Sequence, residues 1–432
     1  MYSRRSFMGA MSWLTVSGTA ALLNAAGMRQ AIEAVTHYHG TPTETASDEH
    51  LWFEIQKAFT VDRSLINLNN GGVSPSPAVV QNAMKRYLDY SNTAPVYTMW
   101  RILGPQKETI RRRLADQLGC DFEEIAITRN ASEALEICQL GFDLEPGDEV
   151  LTTNQDYPRM ITTWEQLERR KKVKLKMFPI PTPAEDPEKI ISLFRENITP
   201  RTRLILISHM IFLTGQILPV KRIVAMARKK NIPVIVDGAH SFAHIDFRID
   251  DLDCDYFGTS LHKWLCAPHG TGLLYVRKDK IKDLWPLMPA PGKMDDDIRK
   301  FEEIGTHPAA NYLAIGEALT LYQGIGAKRK EERMRYLRDR WALRLNQFDR
   351  VRLYTSLKPE FSCGIATVRI DGIDSKALSE YLWNNHKIIV ALIEHADFEG
   401  VRISPNIYTT LNEIDYFGNV MEQILRNGLP KN

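Results

Sequence analysis

Arg203-Leu-Ile-Leu-Ile-Ser208 and Pro233-Val-Ile-Val-Asp-Gly-Ala-His240 are two short apolar runs on either side of a segment, 220–230, whose apolar residues recur at helical spacing. Neither run alternates apolar with polar residues, so each is expected to be buried on both faces, as strands of a parallel sheet are. The same alternation extends upstream. Extended runs at 124–128, 148–153 and 173–180 are interleaved with helical patterns at 132–142, 160–171 and 188–196. Downstream, Asp253-Cys-Asp-Tyr-Phe257 and Leu273-Leu-Tyr-Val276 add two further strands. Such a series predicts a doubly wound α/β domain with a mostly parallel sheet. Its ligand crevice belongs at the carboxyl ends of the strands.

The chain has 432 residues, 44% of them hydrophobic and 25% charged, enough for a large domain and a smaller one. Lys+Arg 55 against Asp+Glu 53 leaves a net charge of +2, which argues against a nucleic-acid or general polyanion binder. The five cysteines are irregularly spaced with no CxxC pair, so neither a disulfide framework nor a zinc site is indicated. After Gly305 the composition shifts. A helical pattern over 309–348 breaks at Gly324-Ile-Gly326. Short strands follow at 351–354, 365–370, 388–392 and 401–403, with helices at 375–385 and 411–426. These outline a smaller α+β C-terminal domain over 309–432, after a large domain over 65–308 and a linker with an N-terminal helix over 29–64. At the start, Ser3-Arg4-Arg5-Ser6-Phe7-Met8 precedes a modestly apolar run, the layout of a twin-arginine export signal over 1–28. It leads to the expectation of a periplasmic protein, exported folded by the twin-arginine machinery, or N-terminally anchored if the segment is not cleaved.

Residues able to do chemistry gather at the expected strand ends. Gly258-Thr-Ser-Leu-His-Lys-Trp264 sets Lys263 among hydroxyl and imidazole groups. Most lysines are solvated, but one whose ammonium is destabilised can form a Schiff base, and Ser260 and His262 could hold an anion beside it. Asn130, Ala131 and Ser132 open a helix, where free N–H groups favour a phosphate, although an ordinary helix cap reads the same way. Asp237 ends a buried strand, where an acid calls for a cation such as a pyridinium nitrogen; a magnesium ligand or a ribose contact is the alternative. The nucleotide alternatives lack their signatures, since no GxGxxG lies upstream and no GxxxxGK[ST] occurs. His240 follows three residues on, and Tyr157 sits just past another strand, where it could lie against a planar ring.

Asn130-Ala-Ser132, Asp237-Gly-Ala-His240 and Ser260-Leu-His-Lys263, in that order, make the chain resemble the class V aminotransferase family of fold-type I pyridoxal phosphate (PLP) enzymes. Gly147-Asp-Glu-Val-Leu151 with Asp156-Tyr-Pro158 is most similar to its isopenicillin-N-epimerase-like branch. The resemblance implies PLP as cofactor, carried on Lys263, with Asp237 on the pyridine nitrogen and His240 at the ring hydroxyl. It further implies Asn130, Ala131, Ser132, Ser260 and His262 around the phosphate, and Tyr157 stacked on the ring. Thr306, in Ile304-Gly-Thr306, would reach the phosphate of a neighbouring subunit in a homodimer with shared sites. Asn70 and Gly71 would line the substrate side, and Arg402 would clamp the carboxylate of a small amino-acid substrate.

Two departures shape the expected activity. Residues 387–402 contain no cysteine, which argues against the persulfide chemistry of the desulfurase relatives, and Phe212 replaces a polar residue near the ring. The expected function is therefore a PLP-dependent, epimerase-like or aminotransferase-like reaction at the α-carbon of an amino acid or an amino-acid-containing metabolite. A C–S or C–N β-lyase is the enzymatic alternative, and a non-catalytic binding protein on the same fold is the third.

Overall fold

The computed structural model describes Glu33 and residues 40–430. The expected export signal lies outside the described residues. Among those described, no helix is long and apolar enough to cross a membrane.

Among the described residues, thirteen strands, taken in chain order, form three sheets. The large sheet contains β2 (Ile125–Thr128), β3 (Glu149–Thr153), β4 (Lys174–Phe178), β5 (Thr202–Ser208), β6 (Val234–Asp237), β7 (Tyr256–Ser260) and β8 (Gly272–Val276). Their spatial order is β2-β8-β7-β6-β5-β3-β4. All neighbouring pairs from β7 to β4 are parallel; only β8 runs against its neighbours. The carboxyl ends of β2, β3, β5, β6 and β7 therefore meet along one edge, as the apolar runs led us to expect.

The two-faced burial is visible within single strands. Val234 and Val236 pack into one core with Ile205, Ile207 and Leu151. Ile235 points the other way into a second core with Leu204, Leu206 and Tyr256. The helices Ala131–Gly141 and Pro158–Lys171 contribute Leu135 and Trp164 to that second core. Each such fully buried large side chain stabilises by roughly 1.5–3 kcal/mol.

A third core belongs to the C-terminal unit. Its sheet has the order β12 (Ala391–Glu394), β13 (Glu399–Ile403), β10 (Ala366–Ile370), β9 (Val351–Leu353), all antiparallel. It packs against helices Ala327–Leu345, Ser375–His386 and Leu411–Asn427, with Trp341 edge-on to Phe417 at 5.6 Å. The expected break at Gly324-Ile-Gly326 falls at Gly326, whose φ of 90° suits glycine and separates helix Ile315–Ile325 from Ala327–Leu345.

Three details differ from the sequence reading. The strand expected at 253–257 begins later, at Tyr256, because Asp253 takes a left-handed φ of 49°, and it runs on to Ser260. The run at 388–392 is two strands: β11 (Ile388–Ile389) pairs with β1 (Ile66–Asn67), while β12 joins the four-stranded sheet. The segment at 66–68, read as the start of the large domain, thus pairs with the C-terminal unit, and Leu68 lies in its core.

Candidate active site

Across the carboxyl edge of the large sheet the partners in register are Thr128 with Gly272, Gly272 with Ser260, Gly258 with Asp237 and Asp237 with Ser208. A Cβ on Gly272 would come within 2.7 Å of the Asn130 backbone, so only glycine lets β8 pass beneath the turn that opens helix Ala131–Gly141. Asn130 caps that helix, its side chain accepting from the Glu133 N–H at 2.8 Å. The Ala131 N–H donates to Ser260 Oγ at 2.9 Å, which ties the helix start to the end of β7.

Above this edge lies a cavity of about 390 Å³. Gly71, Asn130, Ala131, Ser132, Tyr157, Asp237, His240, Ser260, His262, Lys263 and Arg402 line it, together with Phe212 and Leu392. The structure thus gathers eleven residues singled out in the sequence. No cysteine lines the cavity; among the described residues Cys363 is buried elsewhere, its thiol facing the His244 and Glu331 carbonyls.

Lys263 Nζ stands 3.3 Å from His240 Nε2. Burial pulls the lysine down to about 8, against the attraction of Asp237 and with the repulsion of Arg402. An amine shifted this far is a usable nucleophile and base near neutral pH. Asp237 is buried and accepts from the Ala239 N–H at 2.9 Å; burial pushes its carboxyl up to about 6. His240 is buried and held well below its ordinary range by burial, then by the charge of Lys263. If the lysine donates to Nε2, the proton of the neutral ring sits on Nδ1, a buried atom with no hydrogen-bond partner.

His262 uses Nδ1 on the Thr271 carbonyl at 3.1 Å. Burial and Lys263 hold it down to about 4, so its Nε2 can donate only when an anion beside it raises that value. Arg402 is also buried and pulled down to about 10 by burial. Its Nη1 donates to the Phe212 carbonyl at 2.7 Å and its Nη2 to Asn69 Oδ1 at 2.8 Å. Tyr157 precedes helix Pro158–Lys171, its ring edge-on to Phe212 at 5.3 Å.

One expected residue, Asn70, does not line the cavity. Its side chain is consumed in the fold: Nδ2 donates to the Asn67 and Ser404 carbonyls, and Oδ1 accepts from the Tyr408 hydroxyl at 2.6 Å. Its neighbour Asn69 is the residue that touches Arg402. Thr306, expected at a neighbouring subunit's phosphate rather than in this cavity, is exposed and lines a separate cavity of about 320 Å³ with Trp100 and His307.

Two further residues have roles that sequence reasoning did not assign. Asp156 Oδ2 accepts from Thr152 Oγ1, Thr153 N and Thr153 Oγ1, and Oδ1 from Ser208 N and Oγ, all within 2.8 Å. It knots the ends of β3 and β5 and so fixes the loop that carries Tyr157. His244 is the second, and its partners are described below.

The donor set fits PLP. A helix start with hydroxyl and imidazole groups suits its phosphate. A buried carboxylate suits its pyridinium, and an amine lines the same cavity. The unpaired His240 Nδ1 needs a polar partner of the kind the ring hydroxyl offers.

Comparison with known proteins agrees. Residues 66–417 match the family model described as Aminotransferase class-V. The chain is 28% identical to an isopenicillin N epimerase of Streptomyces clavuligerus over 390 residues, 86% of this chain and 98% of that one. It is 22% identical to a hercynylcysteine sulfoxide lyase of Schizosaccharomyces pombe over 381 residues, covering 85% of this chain and 96% of that protein. The apo structure of a cysteine desulfurase from Thermococcus onnurineus NA1 superposes with a TM-score of 0.75 at 24% identity, covering 87% of this chain and 98% of that one, which shows the shared fold. A match that runs from β1 into the last helix, over the strand ends just described, places the chain in the class V aminotransferase family of PLP-dependent enzymes.

Proposed function

We propose that the protein moves a proton at the α-carbon of an amino acid, or of a metabolite containing one, as an epimerase-like or aminotransferase-like enzyme. The observation that carries this reading is the Lys263 amine, shifted to about 8 and set in one cavity with Asp237, His240 and Arg402. PLP, when bound, draws electrons from the α-carbon into its protonated ring. The chain's own residues do the rest. Asn130, Ala131, Ser132, Ser260 and His262 hold the phosphate end, and Asp237 keeps the ring nitrogen protonated. Arg402 takes the substrate carboxylate with a guanidinium already aimed by Phe212 and Asn69. Lys263, once free, accepts the α-proton and can return it. His240, neutral in its buried setting, accepts a hydrogen bond from the resulting ammonium and holds it in place.

Epimerase relatives aligned over nearly their whole length support the return of the proton to the α-carbon. The cysteine-free cavity weighs against sulfur transfer by persulfide. A lyase among the relatives favours β-elimination as the second reading. Incubating the holoenzyme with a panel of amino acids in D₂O separates them. The first reading expects deuterium at the α-carbon, with inversion for an epimerase or a keto acid retaining the side chain for an aminotransferase. Release of pyruvate and ammonia in equal amounts would establish the lyase reading instead.

A further inference from the structure

Behind the contact between His240 and Lys263 lies a second histidine, one that the proposed function does not use. His244 is buried, 1% exposed. Its Nε2 faces the Gly364 N–H at 2.9 Å, so this nitrogen is the acceptor. The ring proton must then sit on Nδ1, which donates to the His240 carbonyl at 2.9 Å. The ring also stacks on Trp264, centroids 3.8 Å apart and planes 18° from parallel. Trp264 is the residue after Lys263, and its ring also meets the His240 ring edge-on at 6.2 Å. His244 therefore grips the backbone of one member of the pair and the neighbour of the other.

The bonding selects the tautomer, and burial with nearby charge keeps the ring neutral. Lys330, Arg335 and Arg338, from helix Ala327–Leu345, face the ring from the C-terminal unit, and burial with their charge pulls His244 down to about 3. Lys330 donates in turn to the Trp264 carbonyl, so the backbone of this tryptophan is held from the C-terminal unit while its ring is held by His244. Protonating His244 would set two N–H groups against each other at Gly364.

We propose that His244 is a positioning residue that holds His240 and Lys263 in register through its two hydrogen bonds, with Gly364 linking that register to the C-terminal unit. The inference rests on the reading of Lys263 as the cofactor's lysine. Removing the two bonds frees the His240 carbonyl and leaves the Gly364 N–H unpaired. The His240 ring drifts from Nζ and water enters. The burial that disfavours a charged nitrogen at Lys263 relaxes, while Asp237, Arg402 and His262 around it stay unchanged.

The test is the pH titration of the holoenzyme's visible absorbance, which reports the proton on the Lys263 nitrogen whichever reaction is catalysed. His244→Phe keeps a flat ring against Trp264 without the hydrogen bonds. His244→Gln keeps a donor and an acceptor without the ring. His244→Phe is expected to move the midpoint upward by about one pH unit. His244→Gln is expected to restore it to within about 0.3 unit of wild type. If His244→Phe does not fold, His244→Met, which fills the space without a donor, is read in the same way. An unchanged midpoint in the Phe variant would overturn the proposal. So would Phe and Gln midpoints that move together with their losses of melting temperature, the result of packing alone. A Lys263→Ala protein that keeps the same pH-dependent band would instead refute the reading of Lys263, leaving the two failures distinguishable.

Discussion

Lys263→Ala is expected to abolish the yellow colour of the purified protein and to lower α-proton exchange by about 10³-fold or more. The expectation comes from geometry rather than from the lysine alone. Its amine shares one cavity with the Asp237, His240 and Arg402 side chains, and burial has brought it down to about 8. Alanine removes both the covalent attachment of the cofactor and the group that takes the proton. Among the described residues no carboxylate bonds to the Lys263 amine, whose one hydrogen-bond contact is His240 Nε2, so the fold loses little. The melting temperature of the cofactor-free variant should stay within a few degrees of wild type, while exchange disappears. A variant that keeps both colour and exchange would place the chemistry on another residue.

Asp237→Asn is expected to move stability and activity in opposite directions. Burial raises this carboxyl from 3.8 to about 6 in the cofactor-free protein. The folded state therefore binds more protons than the unfolded state between those values. Its stability falls as pH rises through about 6 and levels off above that. At pH 7.5 the buried, ionised carboxylate costs on the order of 1–3 kcal/mol in the cofactor-free chain. Asparagine carries no charge, so the cofactor-free variant should be more stable by about that amount at pH 7.5 and lose this pH dependence. The same change deprives the pyridine nitrogen of its anionic partner, and α-proton exchange should fall by roughly two orders of magnitude or more. Thermal melts across pH 4–8, paired with exchange rates, check both halves. A destabilised cofactor-free variant would contradict the account of Asp237.

Much of the fold could be read from the chain because buried parallel strands are continuous apolar runs. Leu204–Ile207 and Val234–Val236 carry that signal without help from the rest of the molecule. Strand β7 was harder. Gly258, Thr259 and Ser260 look like a loop, yet they are buried strand residues between β6 and β8. Their place in the strand puts Ser260 at its carboxyl end. The site residues at strand ends were legible because chain order and the sheet's direction bring them to one edge.

What escaped depends on partners distant in sequence. Asn69 and Asn70 are adjacent, and nothing local tells which faces Arg402, 333 residues from Asn69. His244 takes its meaning from Gly364, 120 residues on, and from a tryptophan that packs against it only in the folded chain. Asp156 was visible as part of a motif. Its role as a knot between β3 and β5 needed Ser208, 52 residues away.

The central claim is that the cofactor is carried on Lys263, and it can be read in a single peptide. Reducing the holoenzyme with borohydride fixes the cofactor to its lysine, and peptide mass spectrometry then locates the added mass. The account predicts one modified peptide, containing Gly258-Thr-Ser-Leu-His-Lys-Trp264, with the addition on Lys263. Modification of another buried lysine such as Lys330 or Lys300, or no fixed cofactor at all, would contradict it.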